Sequence, residues 1–331
     1  MNRFYKLIGY IIVAIAIIFF VSAVFKHASG LLFLKWDLMT YASFGLGIFL
    51  SIVTIFLGGY AWYLLLRFTG QPSRLGKVLA IFSIAQFAKY IPGNIAHHIS
   101  RVALAKTYGF KVSIVIFTMA VEAAWLILAA STISILSLIA ARQVLFKYVP
   151  SIPSLWQLTL LIIVAVMIPI IGYWTLNYWR PHFIQKLFGV EKIESPNMPV
   201  LVVCFLLYSA NLFLNGLIMV VLSQTLFGVK DSQIWFLSSI FAIAWVAGFL
   251  TPGSPAGLGV REAIIVASLS LIYNGGIAVG LAVSMRVVSI LADGLAFIFA
   301  IVAKQRFFPL PIPVSGSIDK GTRTILKHEK K

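Results

Sequence analysis

Long apolar runs separated by short polar segments dominate the chain. A helix needs about 20 apolar residues, each adding about 1.5 Å, to cross the hydrocarbon core of a bilayer. Runs near or above this length cover residues 7–25, 38–66, 112–141, 155–176, 200–229 and 275–303. They are continuous, without the alternation of barrel strands, and only helices or closed barrels satisfy their backbone in lipid. The pattern predicts an all-α polytopic membrane protein with about six full spanning helices.

Two further stretches are apolar but interrupted. Residues 78–91 end at Pro92-Gly93 and are followed by the short run 95–107, whereas residues 234–251 end at Pro252-Gly253 and are followed by 260–273. Each pair is typical of two half-helices that meet at a helix-breaking turn. Such a hairpin enters and leaves on one side when protein or a watery cavity shelters it. The prediction is two re-entrant Pro-Gly hairpins, although residues 234–251 are nearly long enough to cross alone.

The composition excludes a soluble domain. Hydrophobic residues make up 61% of the 331 residues and charged residues 11%, whereas soluble domains are about 25% charged. The net charge of +17 would suggest nucleic acid in a soluble protein. Here the basic residues lie at the ends of the runs and in the tail, as the positive-inside rule expects, so no nucleic-acid partner is predicted. The single Cys204 excludes a disulfide framework.

The basic residues also predict the orientation. Suppose that the six long runs cross, that both hairpins are re-entrant and that the N-terminus is cytoplasmic. Of the Lys and Arg residues in the loops and tail, 17 then lie on the cytoplasmic side and 5 on the opposite side. This split predicts that both termini lie in the cytoplasm. The expected location is the cytoplasmic (inner) membrane of a prokaryote. Residues 1–305 are predicted to form one transmembrane domain, and residues 306–331 a basic cytoplasmic tail near anionic headgroups.

The two Pro-Gly dipeptides belong to an internal repeat. One opens residues 92–101 and the other residues 252–261, and each is followed by arginine nine positions after the proline. Two long runs precede each motif and one follows it, and the first hairpin enters from inside while the second enters from outside. This predicts inverted repeats over about residues 5–145 and 150–305, a plan that recurs in transporters. The alternative is two unrelated re-entrant loops that both need helix breakers.

Charged residues within the apolar segments are the first candidates for function. A charge at bilayer depth costs about 2.5–3.5 kcal/mol and is usually retained for use. The set is Lys89, Arg101, Glu122, Arg261, Glu262, Arg286 and Asp293. Arg286 and Asp293 share a helix face two turns apart. They form either an internal salt bridge or contacts that hold helices together. The functional alternative is an anion site or, together with Glu122, a charge relay or counter-ions at the repeat interface.

Arginine after a broken helix suggests an anion site. Its planar fork fits phosphate, and a half-helix N-terminus favours anions. Glycine lets the backbone approach a ligand closely. The predicted substrate-binding residues are Arg101, Arg261, Glu262, Pro92, Gly93, Pro252, Gly253, Gly257 and Gly259. The alternative for each arginine is snorkelling to the headgroup region. Glu262 and Glu122 are either proton carriers or counter-ions for those arginines.

Other polar residues are expected to be structural. The adjacent His97 and His98 point to different helix faces and lack a third ligand, so no metal is predicted. Asn211 and Asn215 are expected to bridge helices. No Walker loop, nucleophile elbow or GxGxxG occurs, and no cofactor is predicted.

The two motifs resemble a known family. TPGSPAGLGVREAII (residues 251–265) and KYIPGNIAHHISRVALAKTYGF (residues 89–110) are similar to the lysylphosphatidylglycerol synthase transmembrane, or flippase-like, family. The likeness covers about residues 5–305, although residues 94–98 are less glycine-rich than that family's turn. Some members carry a cytosolic aminoacyl-transfer domain, and too few residues follow the last run here for one. The resemblance implies movement of a lipid or lipid-linked headgroup between leaflets.

Three functions are compatible with these features. The first is a non-enzymatic flippase or transporter for an anionic phospholipid or polyprenyl-linked headgroup, whose partners are membrane lipids. The second is a membrane enzyme acting on a lipid-linked substrate, with Glu262 beside Arg261 as acid or base. The third is a scaffold for envelope or polysaccharide assembly. The oligomeric state, the lipid, the direction and the energy source are not encoded in any motif.

Overall fold

The computed structural model describes residues 37–71, 73–90, 95–140, 197–230, 232–251 and 254–307, with a few isolated positions elsewhere. Within these ranges the chain forms α-helices and two short 3-10 helices, and no strand. The α-helices are α1 (Leu38–Phe68), α2 (Leu75–Phe87), α3 (Ala96–Thr107), α4 (Val112–Ala140), α5 (Met198–Phe227), α6 (Ile234–Leu250), α7 (Val260–Leu269) and α8 (Gly275–Phe307). The 3-10 helices are Ala88–Tyr90, after α2, and Pro255–Gly257, before α7.

Four of these helices are long and apolar enough to cross a membrane: α1, α4, α5 and α8. They coincide with four of the six predicted spans, so the all-α membrane architecture is confirmed. The other two predicted spans, residues 7–25 and 155–176, lie outside the described residues, as does nearly all of the predicted tail 306–331.

The two interrupted stretches form short helices, as their sequences predict. α2 and α3 have 13 and 12 residues, and α6 and α7 have 17 and 10. Each is shorter than the about 20 residues of a full span. The Pro-Gly dipeptides at 92–93 and 252–253 lie outside the described residues. The ends of the helices that flank each dipeptide therefore show that the helix breaks there. That each hairpin enters and leaves the membrane on the same side stays a prediction.

Cap residues explain where two long helices begin and end. Asp37 accepts a hydrogen bond from the backbone N–H of Thr40 at 2.8 Å, and Asn197 caps α5 in the same way. α5 ends at Gly228, whose φ of 62° is a left-handed conformation that glycine adopts without strain.

Many small residues face the inside of the bundle, and many large apolar residues face outwards. The buried face of α1 carries Ser43, Gly47 and Ser51, whereas Phe49 is 61% exposed. A soluble protein would bury the large apolar residues. In lipid the hydrophobic effect does not favour helix association, so close packing of small residues does. The burial pattern is that of a membrane bundle.

Packing between the two halves of the chain follows a two-fold pattern. The counterparts in the two halves are α1 and α5, α2 and α6, and α4 and α8, and α1 packs on its own counterpart α5. The contact of α4 with α6 corresponds to that of α8 with α2. The contact of α4 with α5 corresponds to that of α8 with α1. Each helix of the second half begins about 160 residues after its counterpart, as expected for a repeat. The paired starts are Leu38 and Met198, Leu75 and Ile234, Ala96 and Val260, and Val112 and Gly275.

Among the glycines compared in the described helices, Gly216 on α5 lies closest to a neighbouring helix, which is α6. A Cβ at this position would lie 2.6 Å from the Cα of Ser238 and would overlap its Oγ. The backbone atom cannot move without separating the helices, so we expect Gly216→Ala to destabilise the protein by about 1–3 kcal/mol. The free energy of unfolding in detergent measures this.

Gly45 on α1 is the matched control for Gly216. A Cβ there would meet nothing within 4 Å. Alanine at this exposed helical position is expected to leave stability unchanged or raise it by up to about 1 kcal/mol. Equal effects of the two substitutions would contradict the close packing of α5 on α6.

Candidate functional site

A cavity lies inside the bundle where the two halves meet. Its volume is about 170 Å³, and every one of the eight helices contributes to its wall. The two 3-10 helices contact each other, so the breaks in the two interrupted stretches meet within the protein. Side chains from both breaks can therefore act on one bound molecule.

All seven charged residues that the sequence places within the apolar segments line this cavity. The four cations are Lys89, Arg101, Arg261 and Arg286, and the three acids are Glu122, Glu262 and Asp293. With the histidines neutral, the charge of the cavity wall is therefore +1. A charge in an apolar surrounding must be paired or hydrated, so the pairing of these groups determines the chemistry of the site.

Arg101 and Glu122 form the most enclosed pair. Nη1 of Arg101 on α3 lies 2.5 Å from Oε2 of Glu122 on α4, and the two side chains are 4% and 10% exposed. The guanidinium also lies over the rings of Phe82 and Trp62, at 4.4 and 4.9 Å from their centroids. Cation–π contacts of this kind stabilise a desolvated arginine. In this state Glu122 is a counter-ion, and Arg101 is already neutralised.

Asp293 on α8 holds the end of the first interrupted stretch. Its Oδ2 accepts hydrogen bonds from Lys89 Nζ at 2.7 Å and from the Tyr90 hydroxyl at 2.5 Å. Asp293 is therefore bound to the 3-10 helix Ala88–Tyr90 and does not pair with Arg286, two turns away on its own helix. The internal salt bridge that their spacing allowed is not formed.

Glu262 combines a structural and an electrostatic role. Its Oε2 accepts a hydrogen bond from the backbone N–H of Gly259 at 2.7 Å, which caps α7. Its Oε1 lies 3.3 Å from Nη1 of Arg286, which also donates to the carbonyl of Ala256 at 3.4 Å. Both carboxylate oxygens thus have protein partners, and Arg286 links α8 to the second break.

Arg261 differs from the other three cations. Among the described residues no carboxylate lies within 4 Å of its guanidinium group, whereas each of the other three cations has one. Its buried Nε has no hydrogen-bond partner there, which is also true of Arg101 Nε. Its guanidinium lies 5.7 Å from the ring centroid of Trp245. Nε and Nη2 of Arg286 are also buried without a partner among the described residues. Unpartnered guanidinium donors beside a cavity are suited to an anion.

The glycines around Arg261 make room for its side chain. A Cβ on Gly248 would lie 2.7 Å from Arg261 Cγ, and one on Gly257 would lie 2.9 Å from its Nε. Gly257 and Gly259 have φ values of 71° and 84°, which favour glycine. Here Arg261, rather than a ligand, approaches Gly257. The other predicted turn residues, Pro92, Gly93, Pro252 and Gly253, lie outside the described residues.

Uncharged polar side chains complete the wall. Asn211 donates through Nδ2 to the carbonyl of Thr54 on α1 at 2.7 Å, so it bridges two helices as expected. Asn215 instead donates to the carbonyl of Asn211 on its own helix at 2.9 Å. The rings of His97 and His98 lie 3.8 Å apart and both line the cavity, which corrects the expectation that they point to different faces. Within the described residues no group of three His, Cys, Asp or Glu side chains is placed to hold a metal ion.

Sequence reasoning missed two neighbours of the charged groups. Tyr90 binds Asp293 although 203 positions separate them, and Gly248 accommodates Arg261 from a different helix. Neither residue belongs to a charge pattern or lies near its partner in the chain. The one local signal is the position of Tyr90 beside Lys89, which shares the same carboxylate.

Membrane-length helices surrounding a charged cavity define a polytopic α-helical membrane protein whose site lies within the bundle. Residues 6–296 match the family described as the lysylphosphatidylglycerol synthase TM region, and the chain belongs to that family. This confirms the resemblance that the two Pro-Gly motifs carry and indicates a membrane protein involved in lipid headgroup handling. No curated protein matches the sequence of this chain.

Proposed function

We propose that this protein moves a lipid with an anionic headgroup between the leaflets of the membrane, without altering the lipid covalently. The headgroup belongs to a phospholipid or a polyprenyl-linked lipid. The observation that carries the proposal is the cavity in which seven charged residues meet and Arg261 has no carboxylate partner among the described residues. An unpaired arginine in such a place is a site for a phosphate.

The physical barrier to lipid transfer is desolvation of the headgroup. A phosphate that leaves water for hydrocarbon loses its hydration, which costs many kcal/mol unless other groups replace the water. The guanidinium groups and the polar wall would replace it, while the acyl chains stay in the surrounding lipid. Family membership supports this function, because the family's name concerns a phospholipid.

The two-fold packing of the helices supports an inverted repeat, with the breaks of two re-entrant hairpins meeting at the cavity. Transporters of this plan bind their substrate at the repeat interface and expose it alternately to the two sides. The distribution of Lys and Arg supports the orientation with both termini in the cytoplasm. We place the protein in the cytoplasmic membrane of a prokaryote.

The test is the accessibility of a labelled headgroup in vesicles that contain the purified protein. The wild type is expected to move phosphatidylglycerol faster than protein-free vesicles. Arg261→Gln removes a charged hydrogen-bond donor worth about 1.5–3 kcal/mol, so the rate should fall by about tenfold or more.

The control variant is Arg67→Gln. Arg67 is exposed in the last turn of α1, where it donates to the Tyr63 hydroxyl and does not line the cavity. Its substitution is expected to leave the rate unchanged. Equal rates for the wild type and Arg261→Gln would remove Arg261 from the proposed pathway, and a covalently altered lipid would favour an enzyme instead.

A further inference from the structure

Glu122 has a single partner in the part of the chain that the structure describes. Its Oε2 lies 2.5 Å from Nη1 of Arg101, and no other described group donates a hydrogen bond to the carboxylate. The other two acids of the cavity also accept from an uncharged donor, which is a backbone N–H at the start of α7 or the Tyr90 hydroxyl. Glu122 therefore depends on Arg101 for the stability of its negative charge.

Among the described helices that pack on α4, which are α1, α3, α5 and α6, only α3 supplies Glu122 with a cation. α6 has no titratable side chain, and the titratable side chains of α1 do not line the cavity. Tyr208 and Cys204 on α5 interact electrostatically with the carboxylate. His97 and His98 on α3 line the same cavity, and like the Tyr208 hydroxyl their Nδ1 atoms are buried without a partner among the described residues. In their neutral forms these four groups cannot replace the charge of the arginine.

Binding of an anion to Arg101 would bring two negative groups to one cation. The anion and the Glu122 carboxylate would then share a guanidinium group whose side chain is 4% exposed, and an uncompensated charge is costly in such a place. A proton on Glu122 removes this cost, because the neutral acid needs no counter-ion. A proton without the anion would instead leave Arg101 uncompensated. The proton and the anion are therefore expected to bind together.

We infer that this protein is a proton co-transporter, in which Glu122 carries about one proton with each anionic headgroup that passes Arg101. The inference rests on the proposed function, since it requires an anion to reach that arginine. The proton moves from water to a carboxylate oxygen of Glu122 as the headgroup takes over the guanidinium group. When the headgroup leaves towards the other side, the proton returns to water there and Glu122 pairs with Arg101 again. A pH difference across the membrane is then an energy source for transport.

The distribution of phosphatidylglycerol with a fluorescent acyl chain between the two leaflets of vesicles that contain the wild-type protein tests the coupling. A singly charged anion and a proton together carry no net charge, so their joint movement responds to a pH gradient and not to a membrane potential. A gradient of about one pH unit should enrich the label up to about tenfold in the leaflet that faces the alkaline side. A potassium diffusion potential at equal pH should leave the distribution unchanged. Protein-free vesicles give the uncatalysed rate.

Variants assign the proton to Glu122. Glu122→Asp keeps a carboxyl group and should keep the enrichment by the pH gradient. Glu122→Leu with Arg101→Met replaces the pair by apolar side chains and should give no enrichment, and gel filtration shows that each variant is folded. His97→Gln with His98→Gln removes the nearby imidazoles and should respond to the gradient as the wild type does. Enrichment that persists in the Leu/Met variant, or that is lost with the imidazoles, would show that Glu122 does not carry the proton and would overturn the inference.

Equal labelling of both leaflets in wild-type vesicles under the pH gradient would overturn the inference. A distribution that follows the membrane potential would also overturn it, because that is the response of an anion that moves alone. In both cases the lipid has crossed, so the proposed function stands without the coupling.

If the label does not cross, the proposed function fails, and proton uptake on binding still tests the coupling. Arg261 has no described carboxylate to displace, so Arg261→Gln removes the one cation at which an anion can bind without a proton. In weakly buffered maltoside micelles, this variant should take up about one proton for each phosphatidylglycerol bound. Binding without proton uptake would overturn the inference.

Discussion

The Glu122→Gln variant is expected to unfold with a free energy about 3–5 kcal/mol below that of the wild type, because removing one partner of a buried ion pair leaves the other uncompensated. Arg101 is 4% exposed, so little water can reach its guanidinium group in place of the lost carboxylate. Its contacts with Phe82 and Trp62 hold the guanidinium inside the bundle. Glutamine keeps the size of the side chain and can accept one hydrogen bond, but it has no charge.

The single cysteine provides the measurement. Cys204 is buried on α5, so a thiol-reactive fluorophore labels it as the protein unfolds in a denaturant titration. The double variant Glu122→Leu with Arg101→Met replaces both charges by apolar side chains and is expected to be close to the wild type in stability, since apolar replacements of a buried pair are often neutral. If Glu122→Gln alone were as stable as the wild type, the Arg101–Glu122 pair would not be buried as described.

The second large effect is expected at Asp293. Asp293→Ala leaves Lys89 Nζ and the Tyr90 hydroxyl without their common acceptor, at a cost of about 2–4 kcal/mol. The loss should be smaller than at Glu122, because the Lys89 side chain is 19% exposed and water in the cavity can hydrate its ammonium group. The measurement is the free energy of unfolding by the same thiol-labelling titration.

Hydrogen exchange gives this variant a local readout. Asp293 joins α8 to the 3-10 helix Ala88–Tyr90, so the amides of that segment should exchange faster in Asp293→Ala. Exchange around Pro255–Gly257, which Arg286 holds, should change less. Tyr90→Phe removes the hydroxyl but keeps the ion pair, and about 1 kcal/mol is expected for it. Equal exchange in both segments would indicate that Asp293 does not hold the first break.

The two charged residues of α8 that line the cavity, Arg286 and Asp293, each hold one of the two breaks against this helix. Arg286 binds the second break through Ala256 and Glu262, and Asp293 binds the first through Lys89. Both breaks border the cavity where the headgroup is proposed to bind. Movement of α8 would therefore change both walls of the site at once, which is how a rigid element couples two parts of a binding site.

The sequence predicted the membrane helices well, because spanning depends on a local property. An apolar run of about 20 residues has few stable alternatives to a helix in lipid. The breaks after α2 and α6 were also predictable, since proline and glycine act on the backbone at their own positions. The seven charged residues were predicted to be functional because a charge is costly to place in an apolar segment. This cost is recognised from the residues next to each charge, without the tertiary structure.

The chain by itself thus determined the four membrane-length helices among the described residues, where two interrupted stretches break and which residues bring charge into the bundle. The tertiary structure decided how those charges combine: Arg101 with Glu122, Lys89 with Asp293, Arg286 with Glu262, and Arg261 with no acid among the described residues. Hydropathy and backbone propensity belong to single segments, whereas ion pairs depend on how far one helix is rotated and shifted against another. Close contacts such as that of Gly216 with Ser238 set these positions, and no local pattern records them.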